Sequence, residues 1–118
     1  GAYDLCVRQG TIDQVAQEME HYLSLQQKYY DEGNVPETVK YALQFDKCIV
    51  TGTKNSYLIS MYEHIEDIFY LMALHSNQRG EDDRHNNFTE HKMILKSIQE
   101  HDAAALHKWL GIHYDKHL

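Results

Sequence analysis

The stretch FTEHKMILKSIQEHDAAALHKWLGIH, residues 88–113, decides the fold because each of its halves is patterned as a helix. In both halves apolar residues recur three or four positions apart, the spacing of an amphipathic helix. Asp102 is a suitable N-cap for the second helix, so the turn falls near His101. The stretch therefore predicts a helical hairpin, with helices from about Phe88 to Glu100 and from Asp102 to His117.

The rest of the chain carries the same periodicity, and no long segment alternates with the period of a strand. We therefore expect an all-α fold, an antiparallel bundle of about six helices whose first helix is a truncated stub. Residues 78–87, with one glycine and four consecutive charged residues at 81–84, are expected to form a loop. The first four helices are predicted at about 2–8, 11–31, 34–52 and 56–77.

Two local signals set predicted helix starts, and one apolar stripe stands out. Thr11 followed by Gln14 has the pattern of a capping box, as does Asn34 followed by Glu37. The strongest stripe lies on the fourth helix. Its members are Leu58, Met61, Ile65, Ile68 and Met72.

Composition narrows the class of protein. A chain of 118 residues has room for one domain with a single core. A net charge of −7 argues against contact with nucleic acid, because phosphate binding needs clustered Lys and Arg. No apolar run is long enough to cross a bilayer and no signal peptide is visible, so a cytoplasmic location is expected, with Cys6 and Cys48 as reduced thiols.

Three polar residues occupy positions on the apolar stripes. His91 is surrounded by Phe88, Ile94, Leu95 and Ile98 at helical spacing, and His113 follows a similar stripe on the last helix. The two histidines stand about equally far from the turn, so they should lie at the same height in the hairpin. Asp46 likewise occupies a position on the apolar stripe of the third helix.

A buried carboxylate needs a charged or protonated partner, so Asp46, His91 and His113 are expected to surround one site. Such a group could hold a divalent metal, or Asp46 could accept hydrogen bonds from the imidazoles in a metal-free core. The remaining histidines are expected to face solvent, and His113 with His117 could form a surface metal clip. No motif for covalent catalysis is present. The histidines expected at the surface are His64, His75, His85, His101 and His107.

The segment from Glu90-His91 through His101-Asp102 to His113 resembles the closing hairpin of the FCD domain, the ligand-sensing domain of FadR-type GntR regulators. Upstream, the stretch from Gly33 through Phe45-Asp46 to Leu58 resembles the preceding part of that domain. With both segments the resemblance covers nearly the whole chain. It implies a bundle that senses a small carboxylic acid.

Members of this family commonly hold zinc or nickel through an Asp, a His four residues later, and two further His. By the resemblance, His91 and His113 match the last two ligands. Ala42 stands at the position of the family's Asp, and Asp46 at that of the first His. The resemblance therefore implies a metal or effector pocket at Asp46, His91 and His113 with an altered ligand set.

The leading hypothesis is that residues 1–118 form a single FCD-like sensing domain of a bacterial transcription regulator, not an enzyme. It would bind a small carboxylate, form a homodimer, and reach DNA only through a winged helix-turn-helix domain that is absent from this sequence. One alternative is a hemerythrin-like or di-iron protein, which needs about five or more inward ligands. Another is a degenerate dimerisation module without a ligand.

Overall fold

The computed structural model describes the backbone of residues 1–77 and 81–115, and the side chains of residues 1–75 and 86–113. Every regular element in these backbone ranges is an α-helix, which confirms the predicted all-α fold. The helices are α1 (Ala2–Gln9), α2 (Ile12–Asp31), α3 (Val35–Gly52), α4 (Ser56–Asn77), α5 (Glu81–Gln99) and α6 (Ala103–Asp115).

Two of the predicted helix starts are confirmed by their capping hydrogen bonds. Asn34 Oδ1 accepts the backbone N–H of Glu37 at 3.2 Å, and Asp102 Oδ1 accepts that of Ala105 at 3.0 Å. Each bond satisfies one of the N–H groups that a helix leaves unpaired in its first turn. These caps place α3 and α6 where the sequence predicted them.

The predicted capping box at Thr11 is wrong. The Thr11 side chain makes no capping bond to α2. The Thr11 hydroxyl donates instead to the backbone carbonyl oxygen of Gly52, at 2.5 Å, and lies 3.3 Å from that of Cys6. A carbonyl at a helix end lacks an intrahelical partner, so Thr11 serves the ends of α1 and α3 instead of its own helix.

The predicted loop at 78–87 is wrong from residue 81 onward, because α5 begins at Glu81. The sequence places three acidic residues at 81–83, in the first turn of this helix. Negative charge there is favoured by the helix dipole, so the charge run that suggested a loop suits a helix start. Residues 78–80, and the predicted end of the last helix at 116–117, lie outside the described residues.

The core lies between α2 and α3. The α5–α6 hairpin packs against this pair through contacts of α5 with α2. The helix α1 packs over α3 and α2. The buried apolar cluster draws on five of the six helices and surrounds the polar residues of α3, α5 and α6. Its members are Cys6, Val15, Met19, Phe45, Cys48, Ile49, Ile94, Leu95, Ile98 and Leu106.

The apolar stripe of α4 is only partly covered by the rest of the chain. Met61, Ile68 and Met72 are exposed, and Leu58 and Ile65 are half-buried. The helix α4 packs mainly on α3, and the contacts there are polar as well as apolar. Tyr62 donates to the Leu43 carbonyl at 3.3 Å, and Lys47 pairs with Glu66 at 3.1 Å. Since α3 contacts the side of the helix that carries Tyr62 and Glu66, the side that carries Met61, Ile68 and Met72 is left exposed.

Candidate functional site

The side chains of Asp46, His91 and His113 meet from α3, α5 and α6. Asp46 Oδ1 lies 3.1 Å from His91 Nε2 and 3.3 Å from His113 Nε2. The two Nε2 atoms are 3.2 Å apart. One carboxylate oxygen and two imidazole nitrogens thus form a nearly equilateral triangle that joins three helices.

The triangle is enclosed by the core. His91 is 0% exposed and His113 is 2% exposed, whereas the Asp46 side chain retains 16%. The His91 ring stacks on Phe45 with centroids 4.1 Å apart and an angle of 17° between the planes. Of the three residues, Asp46 is therefore the one whose side chain is partly exposed.

The outer nitrogen of His91 is held by an amide pair. Gln26 Oε1 lies 2.8 Å from His91 Nδ1, and Gln26 Nε2 donates to Asn87 Oδ1 at 3.1 Å. Because the amide nitrogen of Gln26 is used by Asn87, its oxygen faces the ring and accepts from Nδ1–H. The neutral His91 ring then carries its proton on Nδ1 and directs the Nε2 lone pair into the triangle.

The outer nitrogen of His113 is held by a carboxylate. Glu90 Oε1 lies 2.9 Å from His113 Nδ1, and both side chains are buried. An ionised carboxylate can only accept, so Nδ1 carries a hydrogen and the neutral ring presents a bare Nε2. A histidine whose other nitrogen donates to a carboxylate is the arrangement by which proteins orient metal-binding imidazoles.

The three groups perturb one another electrostatically. Burial alone would raise the pKa of the Asp46 carboxyl, but the charges and hydrogen bonds of the two imidazoles outweigh it and hold that pKa well below its usual range. Burial lowers the pKa of His91 despite the nearby Asp46. For His113 burial acts in the same direction, but the bonds to Asp46 and Glu90 prevail and raise its pKa. The raised pKa favours the protonated form of His113, whose Nε2–H can donate to Asp46 Oδ1.

The triangle also fits a metal ion. Three ligands about 2.1 Å from one ion stand roughly 3.0 to 3.4 Å apart in octahedral or tetrahedral geometry. The observed separations of 3.1, 3.2 and 3.3 Å fall within that interval. Imidazole nitrogen and carboxylate oxygen are the ligand types that zinc and nickel accept. The donor set and its geometry therefore fit a divalent ion of this kind.

The sequence matches the family model of the FCD domain over residues 1–116. The chain belongs to the FCD domain family. FCD domains are effector-binding parts of GntR-type transcription regulators, and such regulators are not enzymes. No curated protein and no solved structure matches the chain. Among the helices described, none is long and apolar enough to cross a membrane.

Within this FCD domain, the four positions implied by the resemblance contribute unequally. Asp46, His91 and His113 come together, while Ala42, one turn earlier on α3, has no ligand atom in its side chain. In the parts of the chain whose side chains are described, this is the one cluster of His, Cys, Asp or Glu ligands. The di-iron alternative needs about five ligands, and the cluster has three.

The other histidines and the cysteines follow the sequence expectations where the structure describes them. His64, His75, His101 and His107 are exposed, and His85 and His117 lie outside the described side chains. Cys6 and Cys48 are free and buried, as predicted.

Sequence reasoning missed the two residues that orient the imidazoles of this FCD domain. Gln26 follows Met19 and Leu23 at helical spacing, so it occupies a stripe position, and this was the available signal. Glu90 precedes His91, and nothing in the sequence says that it contacts the other histidine. Both assignments require the packing of α2 and α6 against α5.

An open groove of about 460 Å³ between α2 and α3 contains none of the three site residues. Its walls combine both charge signs with amide and aromatic side chains. They are formed by Gln17, Glu18, His21, Tyr22, Gln44, Lys47, Cys48 and Thr51.

Proposed function

We propose that this FCD domain senses a small carboxylic acid with the help of a divalent ion held by Asp46, His91 and His113. The observation that carries the proposal is the convergence of two imidazole nitrogens and one carboxylate oxygen within 3.3 Å of one another. Gln26 and Glu90 already hold the outer nitrogens, so both rings are oriented for binding an ion.

A bound ion would occupy the space that the three inner ligand atoms of the triangle face. In the neutral ring forms set by Gln26 and Glu90, three lone pairs point at one another at distances of 3.1 to 3.3 Å. Such an arrangement is repulsive unless a cation lies between the atoms, because a buried lone pair without a partner is costly. A proton meets this need in part, and a divalent ion meets it for all three atoms.

Three protein ligands leave coordination positions open on zinc or nickel. Protein sites that keep an open position bind water or a solute there, whereas closed four-ligand sites are structural. An effector carboxylate supplies the oxygen ligands that such ions accept. The substitution at Ala42 favours this open form, because one family ligand is missing.

Effector binding would act by joining helices. The three ligands come from α3, α5 and α6, so an ion and its effector connect the hairpin to the rest of the bundle. A ligand that binds one arrangement of these helices more tightly shifts the population toward it. We propose that this shift, transmitted by a homodimer in the cytoplasm, alters DNA binding by a winged helix-turn-helix domain joined to this one.

The proposal is tested by thermal unfolding of the chelator-treated protein with mono-, di- and tricarboxylic acids, with and without zinc or nickel. Each metal should raise the melting temperature, and an acid at 100 times its dissociation constant should add about 2.7 kcal/mol only when metal is present. His113→Ala should lose both responses. His107→Ala, an exposed histidine on the same helix, is the matched control and should keep them.

Acids that stabilise the protein equally without metal would contradict the role of the ion. If no acid shifts the curve of the metal-loaded protein, the effector part of the proposal fails and the metal part stands on its own response.

A further inference from the structure

The exposed face of α4 carries a pattern that the sensing function does not use. Along this helix, exposed residues recur at alternating spacings of four and three, which is the seam of a coiled coil. We call this set the α4 seam. It consists of Tyr57, Met61, His64, Ile68, Leu71 and His75.

The apolar residues of the α4 seam are exposed. Tyr57 is 73% exposed, Ile68 56% and Leu71 64%, and Met72 beside them is 57% exposed. With Met61, at 46%, these five side chains expose on the order of 600 Å², if a full side chain of this size offers roughly 200 Å². This area is at the upper end of what the largest apolar patch of a monomer exposes, and such patches often mark a binding surface.

Of the three acidic residues of α4, Asp67 is exposed beside the seam, whereas the other two lie away from it. Glu63 and Glu66 turn toward α3, where both approach the Lys47 ammonium, at 3.9 Å and 3.1 Å. No Asp, Glu, Lys or Arg occupies a seam position. A second α4 could therefore approach with no formal charge at the seam positions themselves, and Asp67 would stand at the edge of the interface, where a charge can stay hydrated.

The seam is also self-complementary. In an antiparallel pair with its two-fold axis at residue 66, Met61 faces the partner's Leu71, His64 faces the partner's Ile68, and Tyr57 faces the partner's His75. Each seam position thus meets another seam position, as an isologous interface requires. A stable interface buries about 800 Å² on each partner, so the seam and its immediate flanks supply most of the area.

We propose that α4 pairs antiparallel with α4 of a second copy of this chain through the α4 seam. The dimer that the sequence led us to expect thus has a defined surface, which is independent of the metal and effector site. The surface faces outward, so pairing requires no rearrangement of the described helices.

The first test is the mass of the protein in solution by sedimentation equilibrium, for the wild type and for the double variant Ile68→Glu with Leu71→Glu. The wild type should be a dimer, and the variant should lose at least about 100-fold in dimer affinity with unchanged helical circular dichroism, because both residues are exposed. Val7→Glu is the matched control. It places a glutamate at an apolar position that is 51% exposed on α1, and it should remain dimeric.

The second test establishes the direction of pairing with a short thiol-specific cross-linker. The double variant Met61→Cys with Leu71→Cys should give covalent dimers, whereas Met61→Cys alone should not, because residues 61 of antiparallel partners stand about 15 Å apart. A wild-type monomer at high micromolar concentration would overturn the proposal. So would a dimer that survives both glutamates, or efficient cross-linking by Met61→Cys alone, which would indicate a parallel pair.

Discussion

Replacing Gln26 with Leu tests whether the ion site depends on residues that never touch the ion. The substitution keeps a side chain of similar length in a buried position on α2 but removes the acceptor for His91 Nδ1–H, which lies 2.8 Å away. It also removes the donor to Asn87. The His91 ring would then lose the bond that fixes its tautomer and would be held by stacking on Phe45.

The size of the loss in stability and in metal affinity follows from the buried hydrogen bonds that the substitution removes. A buried donor left without a partner costs about 1 to 3 kcal/mol, so Gln26→Leu should lower the free energy of unfolding by that amount. Loss of an outer hydrogen bond to a metal-binding histidine typically weakens metal affinity 10- to 100-fold, which is about 1.4 to 2.7 kcal/mol. Gln26→Glu keeps an acceptor oxygen for His91 and should retain most of the affinity.

The assay is a competition between the protein and a chelator of known zinc affinity, preceded by urea unfolding to confirm that each variant is folded. Gln27→Leu is the matched control, because Gln27 is the exposed neighbour of Gln26. A folded Gln26→Leu protein that binds zinc as tightly as the wild type would refute the idea that this amide orients His91.

Further predictions concern the reactivity of the two cysteines and the effect of replacing two helical glycines. Burial raises the pKa of the Cys6 thiol and raises that of Cys48 to about 12, so neither should react with a thiol reagent at pH 8 until the protein unfolds. Rapid reaction of the native protein would show that these thiols are accessible. Gly52→Ala should destabilise by about 1 to 3 kcal/mol, because a Cβ there collides with Val15 and crowds the Cys6 sulfur. Gly111→Ala should stabilise by about 0.5 to 1 kcal/mol in urea unfolding, since nothing lies near its added Cβ in α6.

The sequence predicted the elements with strong local signals. Asn34 and Asp102 cap helices in the structure because a short polar side chain can bond the first turn whatever the tertiary packing. Thr11 failed as a cap because a carbonyl 41 residues away competes for its hydroxyl. The charge run at 81–84 was ambiguous for a similar reason, since acids suit both a loop and a helix start.

The packing of α4 could not be predicted from its stripe. A regular apolar pattern indicates that a helix face will be buried, but it does not indicate whether that face packs on the chain's own core or on another copy. Ile68 and Met72 follow the same periodicity as buried residues, yet they are exposed. The decisive information is the contact of Tyr62 and Glu66 with α3, which joins residues that are 19 apart.

The candidate site was accessible to sequence reasoning because its three polar residues interrupt apolar stripes. Spacing from the turn predicted that His91 and His113 stand level, and in the structure their Nε2 atoms are 3.2 Å apart. The outer bonds to Gln26 and Glu90 were not predictable, because they depend on how the helices rotate against one another.

The account depends most directly on whether Asp46, His91 and His113 hold an ion. Elemental analysis after equilibrium dialysis of the chelator-treated protein against zinc measures this. We predict about one zinc per chain for the wild type and for His107→Ala, and none for Asp46→Ala or His113→Ala that remain folded. A wild type that retains no metal, or a His113→Ala protein that retains as much as the wild type, would contradict the assignment.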